Sequence, residues 1–328
     1  MMQTRILTVN SKILKTLVTG LLFALLSFQM NAQLAAGKCK FLGNVIGFSV
    51  PSSYNDYWNQ VTPENAGKWG SVEFRRDRMR WDMLDRAYHH AKDHGLPFRH
   101  HTLIWGQQQP GWIDSLPQNE QRAEVEEWIR LFGERYPQTD FMDVVNEPLH
   151  EYPSYADALG GSGDSGWDWV IWCFKKARQY CPDAKLHLNE YRILNSTETT
   201  DQYLTIIDTL QSRGLIDGIG LQGHFIEDAD TAVMRSNLDR LAETGLPIYV
   251  TEYDVNIADD TLQYLKYREQ FPVIWEHPGV AGVTLWGYIQ GRIWRKDSYL
   301  IMKDGSKRQS MKWLSEYVKN TTVQCPDN

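Results

Sequence analysis

Short apolar, β-branched runs alternate along this chain with longer stretches whose apolar residues recur at helical spacing. Eight runs read as strands, at 43–50, 60–63, 97–105, 141–146, 185–189, 218–224, 247–251 and 279–286. Amphipathic stretches at 120–136, 200–213, 236–244 and 262–275 read as helices between them. Asn119 and Thr200 are the expected caps of two helices, and Gly214 and Gly245 the expected stops. Eight strands alternating with helices is the count for a closed (β/α)8 TIM barrel of the α/β class, filled by a single catalytic domain. An open doubly wound sheet would carry a glycine-rich phosphate turn after a strand, and no run is followed by one.

The start of the chain falls outside this pattern. Arg5, Lys12 and Lys15 precede an apolar run at 17–28, which ends in Gln29-Met30-Asn31-Ala32-Gln33. A basic start, a short apolar stretch and a small residue before a polar one read as a signal peptide over 1–32. That leaves 33–328 for the barrel and predicts a secreted or periplasmic protein, not held by a membrane once cleaved. The run is short for a membrane span. Lys38 before Cys39 breaks the small-residue pattern of a lipid-anchored cysteine.

The exported part holds Cys39, Cys173, Cys181 and Cys325. Cys39 and Cys325 lie near its two ends, which come side by side when a barrel closes, so a disulfide between them is plausible. Cys173 and Cys181 sit across a helix and its end, roughly 12 Å apart if helical. That is too far to bridge, so they read as buried thiols. No spacing of Cys and His suggests a zinc site.

With 42 % apolar and 23 % charged residues the composition is that of an ordinary globular domain. A net charge of −7 with no broad basic face argues against nucleic acid as the partner and favours a neutral ligand. Thirteen tryptophans and sixteen tyrosines fit that direction, because the C–H faces of sugar rings stack on flat side chains. Most of these rings are also needed for the core. A monomer is expected.

The barrel turns sequence into geometry, since active sites of this fold collect at the C-terminal ends of the strands. Asn65, His101, Trp105, Asn146, Glu147, Gln222, His224, Glu252 and Trp286 fall at or just past such ends. Two of them close matching segments: Asp143-Val144-Val145-Asn146-Glu147-Pro148 and Tyr249-Val250-Thr251-Glu252-Tyr253-Asp254 each run an apolar strand into a glutamate. Paired carboxylates at a barrel mouth are the minimum equipment for glycosidic cleavage. A separation of about 5–5.5 Å serves retention, and roughly 6.5–9.5 Å serves inversion. Either glutamate alone also reads as a loop salt bridge.

Seven segments in one order resemble glycoside hydrolase family 10, the endo-β-1,4-xylanases. They are Thr62-Pro63-Glu64-Asn65 with Lys68-Trp69; His101-Thr102-Leu103-Ile104-Trp105; Asp143-Val144-Val145-Asn146-Glu147; Asn189-Glu190-Tyr191; Gly220-Leu221-Gln222-Gly223-His224; Thr251-Glu252-Tyr253-Asp254; and Thr284-Leu285-Trp286-Gly287 with Trp294-Arg295. The resemblance implies Glu147 as general acid/base, Glu252 as nucleophile, retention at the anomeric carbon, and xylan or xylo-oligosaccharides as substrate. It implies that His224 donates to Glu252 while Asp254 orients its ring, and that Asn146 bonds the sugar 2-hydroxyl. Gln222 and Trp105 would support the acid/base. Glu64, Asn65, Lys68 and His101 would grip hydroxyls on the non-reducing side of the cut, and Tyr191 would line the leaving-group side. Trp286 would floor the reacting subsite, and Trp294 would crowd the place of a hexose C6 group.

The chain departs from the family pattern at three places. Gly106 stands where histidine is common, which is expected to open space or let a neighbouring glutamine replace the imidazole. Arg192 follows Tyr191 where asparagine is common, a change that would suit an acidic branch on the leaving-group side. The segment 288–292 before Trp294 also differs. A barrel cellulase or galactanase with the same carboxylates, and a non-catalytic polysaccharide-binding barrel, remain alternatives. Carboxylate chemistry implies no cofactor, and a structural calcium in a loop stays open.

Overall fold

The computed structural model describes residues 33–325, so the expected signal peptide at 1–32 lies outside the described residues. Eight strands form one parallel sheet: β1 (Phe41–Ile46), β2 (Val61–Pro63), β3 (Arg99–His100), β4 (Phe141–Asn146), β5 (Lys185–Glu190), β6 (Gly218–Leu221), β7 (Ile248–Tyr253) and β8 (Val280–Leu285). Their order is β2-β1-β8-β7-β6-β5-β4-β3. The sheet closes where Val61 bridges Phe98 in parallel and Val61 N donates to Pro97 O at 2.9 Å. Strands such as Met142–Asn146 are buried on both faces, as a parallel sheet wrapped by helices requires.

Seven helices of two or more turns surround the strands: α1 (Asp82–Asp93), α2 (Gln118–Arg135), α3 (Asp168–Tyr180), α4 (Thr197–Gln211), α5 (Thr231–Ala242), α6 (Asp260–Trp275) and α7 (Gln309–Asn320). Short helical turns at Tyr54–Tyr57 and Trp69–Val72 follow β1 and β2. Below the mouth the barrel is filled, not hollow. Phe41, Phe141 and Tyr249 meet with centroids 5.1–5.9 Å apart, and the Arg99 guanidinium lies over Phe141 and Tyr249. Gly282 makes room for this layer, because a Cβ there would stand 2.4 Å from the Phe41 ring.

Two expectations about element ends need correction. The third strand was expected over 97–105 but is regular only at Arg99–His100. Beyond it, Thr102 Oγ1 and Leu103 N both donate to Asp143 O, and the ladder touches again only at Ile104. The segment trades regular pairing for side chains aimed at the mouth. The helix starts are also earlier than the apolar period alone suggests. α2 begins after Pro117, so Asn119 lies inside its first turn and caps nothing. α4 is capped by Ser196, which accepts from Thr199 N at 3.2 Å, while the Thr200 hydroxyl donates back to Ile193 O. Asp230 and Asp259 cap α5 and α6. Gly214 and Gly245 do follow α4 and α5 with positive φ, as expected of helix stops.

The described ends meet on the strand-start side. Cys39 and Cys325 are disulfide-bonded with Cα atoms 5.8 Å apart. Lys38 Nζ donates to Lys319 O and Thr321 O at 3.0 and 2.8 Å, closing the C-terminal end of α7. Cys173 and Cys181 are buried free thiols, as expected. Among the described residues no helix is long and apolar enough to cross a membrane.

Candidate active site

A cleft of about 340 Å³ opens at the C-terminal ends of the strands. Glu64, Asn65, Lys68, His101, Trp105, Asn146, Glu147, Tyr191, Gln222, His224, Glu252, Trp286 and Trp294 all line it. Asp254 lies just behind, against His224. Every residue expected to act in catalysis or sugar binding is therefore brought to one place, and Arg192 alone of the residues read as recognising substrate stays outside it.

Glu147 follows β4 with φ +56, a left-handed backbone that a glutamate rarely adopts. Its N–H donates to Asn189 O at 2.8 Å, and the next turn returns onto its carbonyl through His150 N and Glu151 N. The carboxylate accepts from Gln222 Nε2 at 2.7 Å and Trp105 Nε1 at 2.9 Å. Burial raises its proton affinity, the Gln222 bond opposes this, and the charges of Glu252 and Glu190 add to the rise. Glu147 is held toward the protonated form.

Glu252, inside β7, has the opposite setting. Burial alone would raise its pKa, but His101 and then His224 outweigh this, and it falls below the usual carboxylate value. His224 Nε2 sits 3.2 Å from Glu252 Oε2, and His224 Nδ1 sits 2.9 Å from Asp254 Oδ2. Burial works against a charge on His224, yet Asp254 and Glu252 together lift its pKa to about 9. The imidazolium thus carries both ring protons, donating one to each acid. Arg295 Nη1, 2.6 Å from Asp254 Oδ1, balances the charge behind it.

Hydrogen bonds join the two glutamates. Asn189 Nδ2 donates to Glu252 Oε1 at 2.7 Å and to Asn146 Oδ1 at 2.8 Å. Gln222 Nε2 then reaches Asn146 Oδ1 at 3.4 Å and Glu147 at 2.7 Å. Asn146 Nδ2 is buried with no hydrogen-bond partner among the described residues.

Toward β2 the cleft holds a single ammonium. Lys68 Nζ donates to Asn65 Oδ1 at 3.0 Å and Gln108 Oε1 at 2.7 Å, and lies 4.8 Å from the centre of the Trp105 ring. Burial lowers its pKa, while Glu252, Glu64 and Glu147 work to keep it charged. His101 was expected to grip hydroxyls beside these groups. It lines the cleft but is committed deeper, with Nδ1 3.1 Å from Asp143 Oδ2 and 3.8 Å from Glu252 Oε1. Asp143 is itself anchored by Arg99 Nη1 at 2.7 Å.

Aromatic rings make the floor and one wall. Trp286 is buried, with His101 and His224 edge-on to it at 5.1 and 6.0 Å. Trp294 is 55 % exposed and meets His224 and Phe225 edge-on. Tyr191 lies 4.0 Å from the His150 ring, whose Nδ1 is 2.9 Å from Glu190.

Gly106 was expected either to open space or to let a neighbouring glutamine stand in for the imidazole, and the cleft has the glutamines. Gly106 does not open space. A Cβ there would stand 2.5 Å from Glu151 O, so the loop after β4 occupies the room an imidazole would need. Gln107 and Gln108 line the cleft instead, and Gln108 is spent on Lys68. Arg192 is exposed, turns at φ +64 and is not among the cleft-lining residues.

The sequence reading quoted Asn189 and Asp143 only as parts of motifs and gave them no role, left the glutamine after Gly106 unspecified, and passed over Glu151 and Phe225. Asn189 carried a usable signal, a polar residue at the inner end of an apolar strand. Asp143 sits within β4 and was hidden by its apolar neighbours, while Gln108, Glu151 and Phe225 depend on loop paths. The acidic group Glu73, Asp77 and Glu124 lies outside the cleft, with Glu73 accepting from Trp69 Nε1 and Asp77 N, and Arg76 paired to Glu124.

Comparison with known proteins agrees with this geometry. Residues 27–319 match the family described as glycosyl hydrolase family 10. Endo-1,4-beta-xylanase B of Cellvibrio japonicus is 40 % identical over 280 residues, which are 84 % of this chain and 45 % of that protein. Anti-sigma-I factor RsgI6 of Acetivibrio thermocellus is 28 % identical over 76 % of this chain and 32 % of its own length. The chain thus spans less than half the length of either relative. Native xylanase 10B of Thermotoga maritima shares the fold, with a TM-score of 0.78 at 24 % identity over 87 % of this chain and 97 % of that one. With the family match running nearly end to end, the chain belongs to glycosyl hydrolase family 10.

Proposed function

We propose that this protein is a secreted endo-β-1,4-xylanase that cleaves xylan with retention, using Glu147 as acid/base and Glu252 as nucleophile. The observation that carries the reading is two buried carboxylates in one cleft with opposite surroundings: burial and neighbouring acids push the Glu147 pKa up, while His101 and His224 hold that of Glu252 down. Glu252 attacks the anomeric carbon while Glu147 gives its proton to the leaving oxygen, forming a glycosyl ester. Glu147, now ionised, takes a proton from water as that water displaces Glu252 and restores the starting state. His224 and Asn189 spread the charge of Glu252, and the unpartnered Asn146 Nδ2 is available for the sugar 2-hydroxyl.

Xylan as the substrate rests on the named xylanase relative and on Trp294, which lines the cleft edge-on to His224 at 4.7 Å, where it would crowd a hexose C6 group. The test compares sugar release from xylan and carboxymethyl-cellulose, with the first-formed anomer followed by NMR. Faster release from cellulose overturns the substrate, and the α-anomer overturns retention. A Glu147→Ala variant supplied with azide should give a β-xylosyl azide. Unchanged turnover in Glu252→Ala would reassign the nucleophile.

A further inference from the structure

A second pocket of about 450 Å³ adjoins the cleft, sharing Glu64 and Asn65 as its wall. Its other sides come from the loop after β1, with Gly47 and Phe48, and from the loop after β8, with Tyr288 to Ile293. The two pockets form one path, running from the paired glutamates past Lys68 and Asn65. The second lies beside Glu64 and Asn65, which the family resemblance assigns to the non-reducing side of the cut.

Its chemistry differs from that of the cleft. Phe48 is 81 % exposed, a flat apolar ring displayed to solvent at the rim. Arg292 lines the pocket and makes no side-chain hydrogen bond or ion pair among the described residues. Lys303 reaches the same corner, since a Cβ on Gly291 would lie 3.6 Å from its Nζ, and it too has no carboxylate partner there. Arg86 donates to Phe48 O and to no acid. Glu64 is the one acidic side chain lining the pocket, and its burial raises its pKa against the pull of Lys68. Arg292 is thus the one cation lining the pocket, and Arg86 and Lys303 each reach one of its rim residues without an acid partner among the described residues.

We infer that this pocket is a subsite for an acidic sugar, a uronate branch carried by the polysaccharide on the non-reducing side of the cut. The Phe48 ring stacks on the branch, and the Arg292 fork takes its carboxylate, a geometry that guanidinium suits better than ammonium. The inference rests on the xylanase reading and names the substrate class within it. It moves acid recognition from Arg192, which lies outside the cleft, to the far side of the site. Residues 288–292, where the chain departs from the family pattern, are the ones that build it.

The test uses the protein on three polymers: glucuronoxylan, the same polymer with its carboxyls reduced to alcohols, and unbranched xylan. Wild type should show kcat/KM on the acidic polymer about tenfold above that on its reduced form, the scale of one charge-assisted hydrogen bond, and the ratio should shrink as salt is raised. Arg292→Ala should bring the ratio close to one, and Arg292→Lys should restore part of it. Phe48→Ala should lower both branched polymers together. The limit products should carry the uronate away from the new reducing end. Equal rates on the acidic and reduced polymers, or a ratio untouched by Arg292→Ala, overturn the inference while leaving the xylanase reading intact. Failure to cleave all three overturns that reading itself.

Discussion

Replacing His224 by Asn tests the electrostatic argument most directly. The substitution removes the Nε2 donor 3.2 Å from Glu252 Oε2 and the positive charge that Asp254 maintains. The surroundings tolerate the loss. Asp254 keeps Arg295 at 2.6 Å, and Glu252 keeps Asn189 at 2.7 Å. A hydrogen bond to a charged group contributes about 1.5–3 kcal/mol, which at 1.36 kcal/mol per unit is about 1–2 pKa units. The burial that disfavours the Glu252 anion is unchanged, so its pKa rises. The acid limb of kcat/KM against pH, measured on a soluble xylo-oligosaccharide from about pH 4 to about 9, should move up by that amount. The basic limb, which the proposed mechanism assigns to Glu147, should stay near its place. An unmoved acid limb, or a shift confined to the basic one, would refute the assignment of His224 as a group that, with His101, lowers the Glu252 pKa.

Trp105→Phe removes the Nε1–H that favours the Glu147 anion, so the basic limb should rise by about half a unit to one unit. Gly106→Ala drives a Cβ to 2.5 Å from Glu151 O, and should lower kcat/KM at least several-fold by displacing the loop after Glu147, with helix content by circular dichroism unchanged. Stability should fall on both sides of neutrality. His100 is pushed by burial down to about 3, so it is neutral when folded and charges when unfolded; the stability it preserves is lost as pH drops below about 6.5. His224 runs the other way. Its folded value near 9 lies above the unfolded one, so its contribution is full below about 6.5 and gone above 9. Thermal unfolding across pH should lose the alkaline slope in His224→Asn.

The barrel and its two glutamates were legible because each depends on local pattern. A run such as Val144-Val145 can only be a strand buried on both faces, and a carboxylate placed just past it has nowhere to point but the mouth. Helix starts were less legible, since Ser196, Asp230 and Asp259 outcompete the residues that merely open the apolar period. The third strand misled because His101 to Trp105 looks extended and apolar, while Thr102 Oγ1 and Leu103 N both converge on Asp143 O and pairing resumes only at Ile104. Gly106 and Arg192 show the limit most clearly. Each was visible as a substitution, but what it does depends on where a loop distant in sequence runs. For Gly106 that loop fills the gap, and for Arg192 the left-handed turn carries the side chain outside.

The bond between Cys39 and Cys325 gives the folded molecule the connectivity of a ring. A single proteolytic cut in any exposed loop between these positions, such as the glycine-rich stretch near Gly163, leaves one covalent body rather than two fragments. A nicked enzyme would run as an intact species on a non-reducing gel and separate only when thiol is added. In surroundings rich in proteases, its working lifetime would then be set by the second cut, not the first.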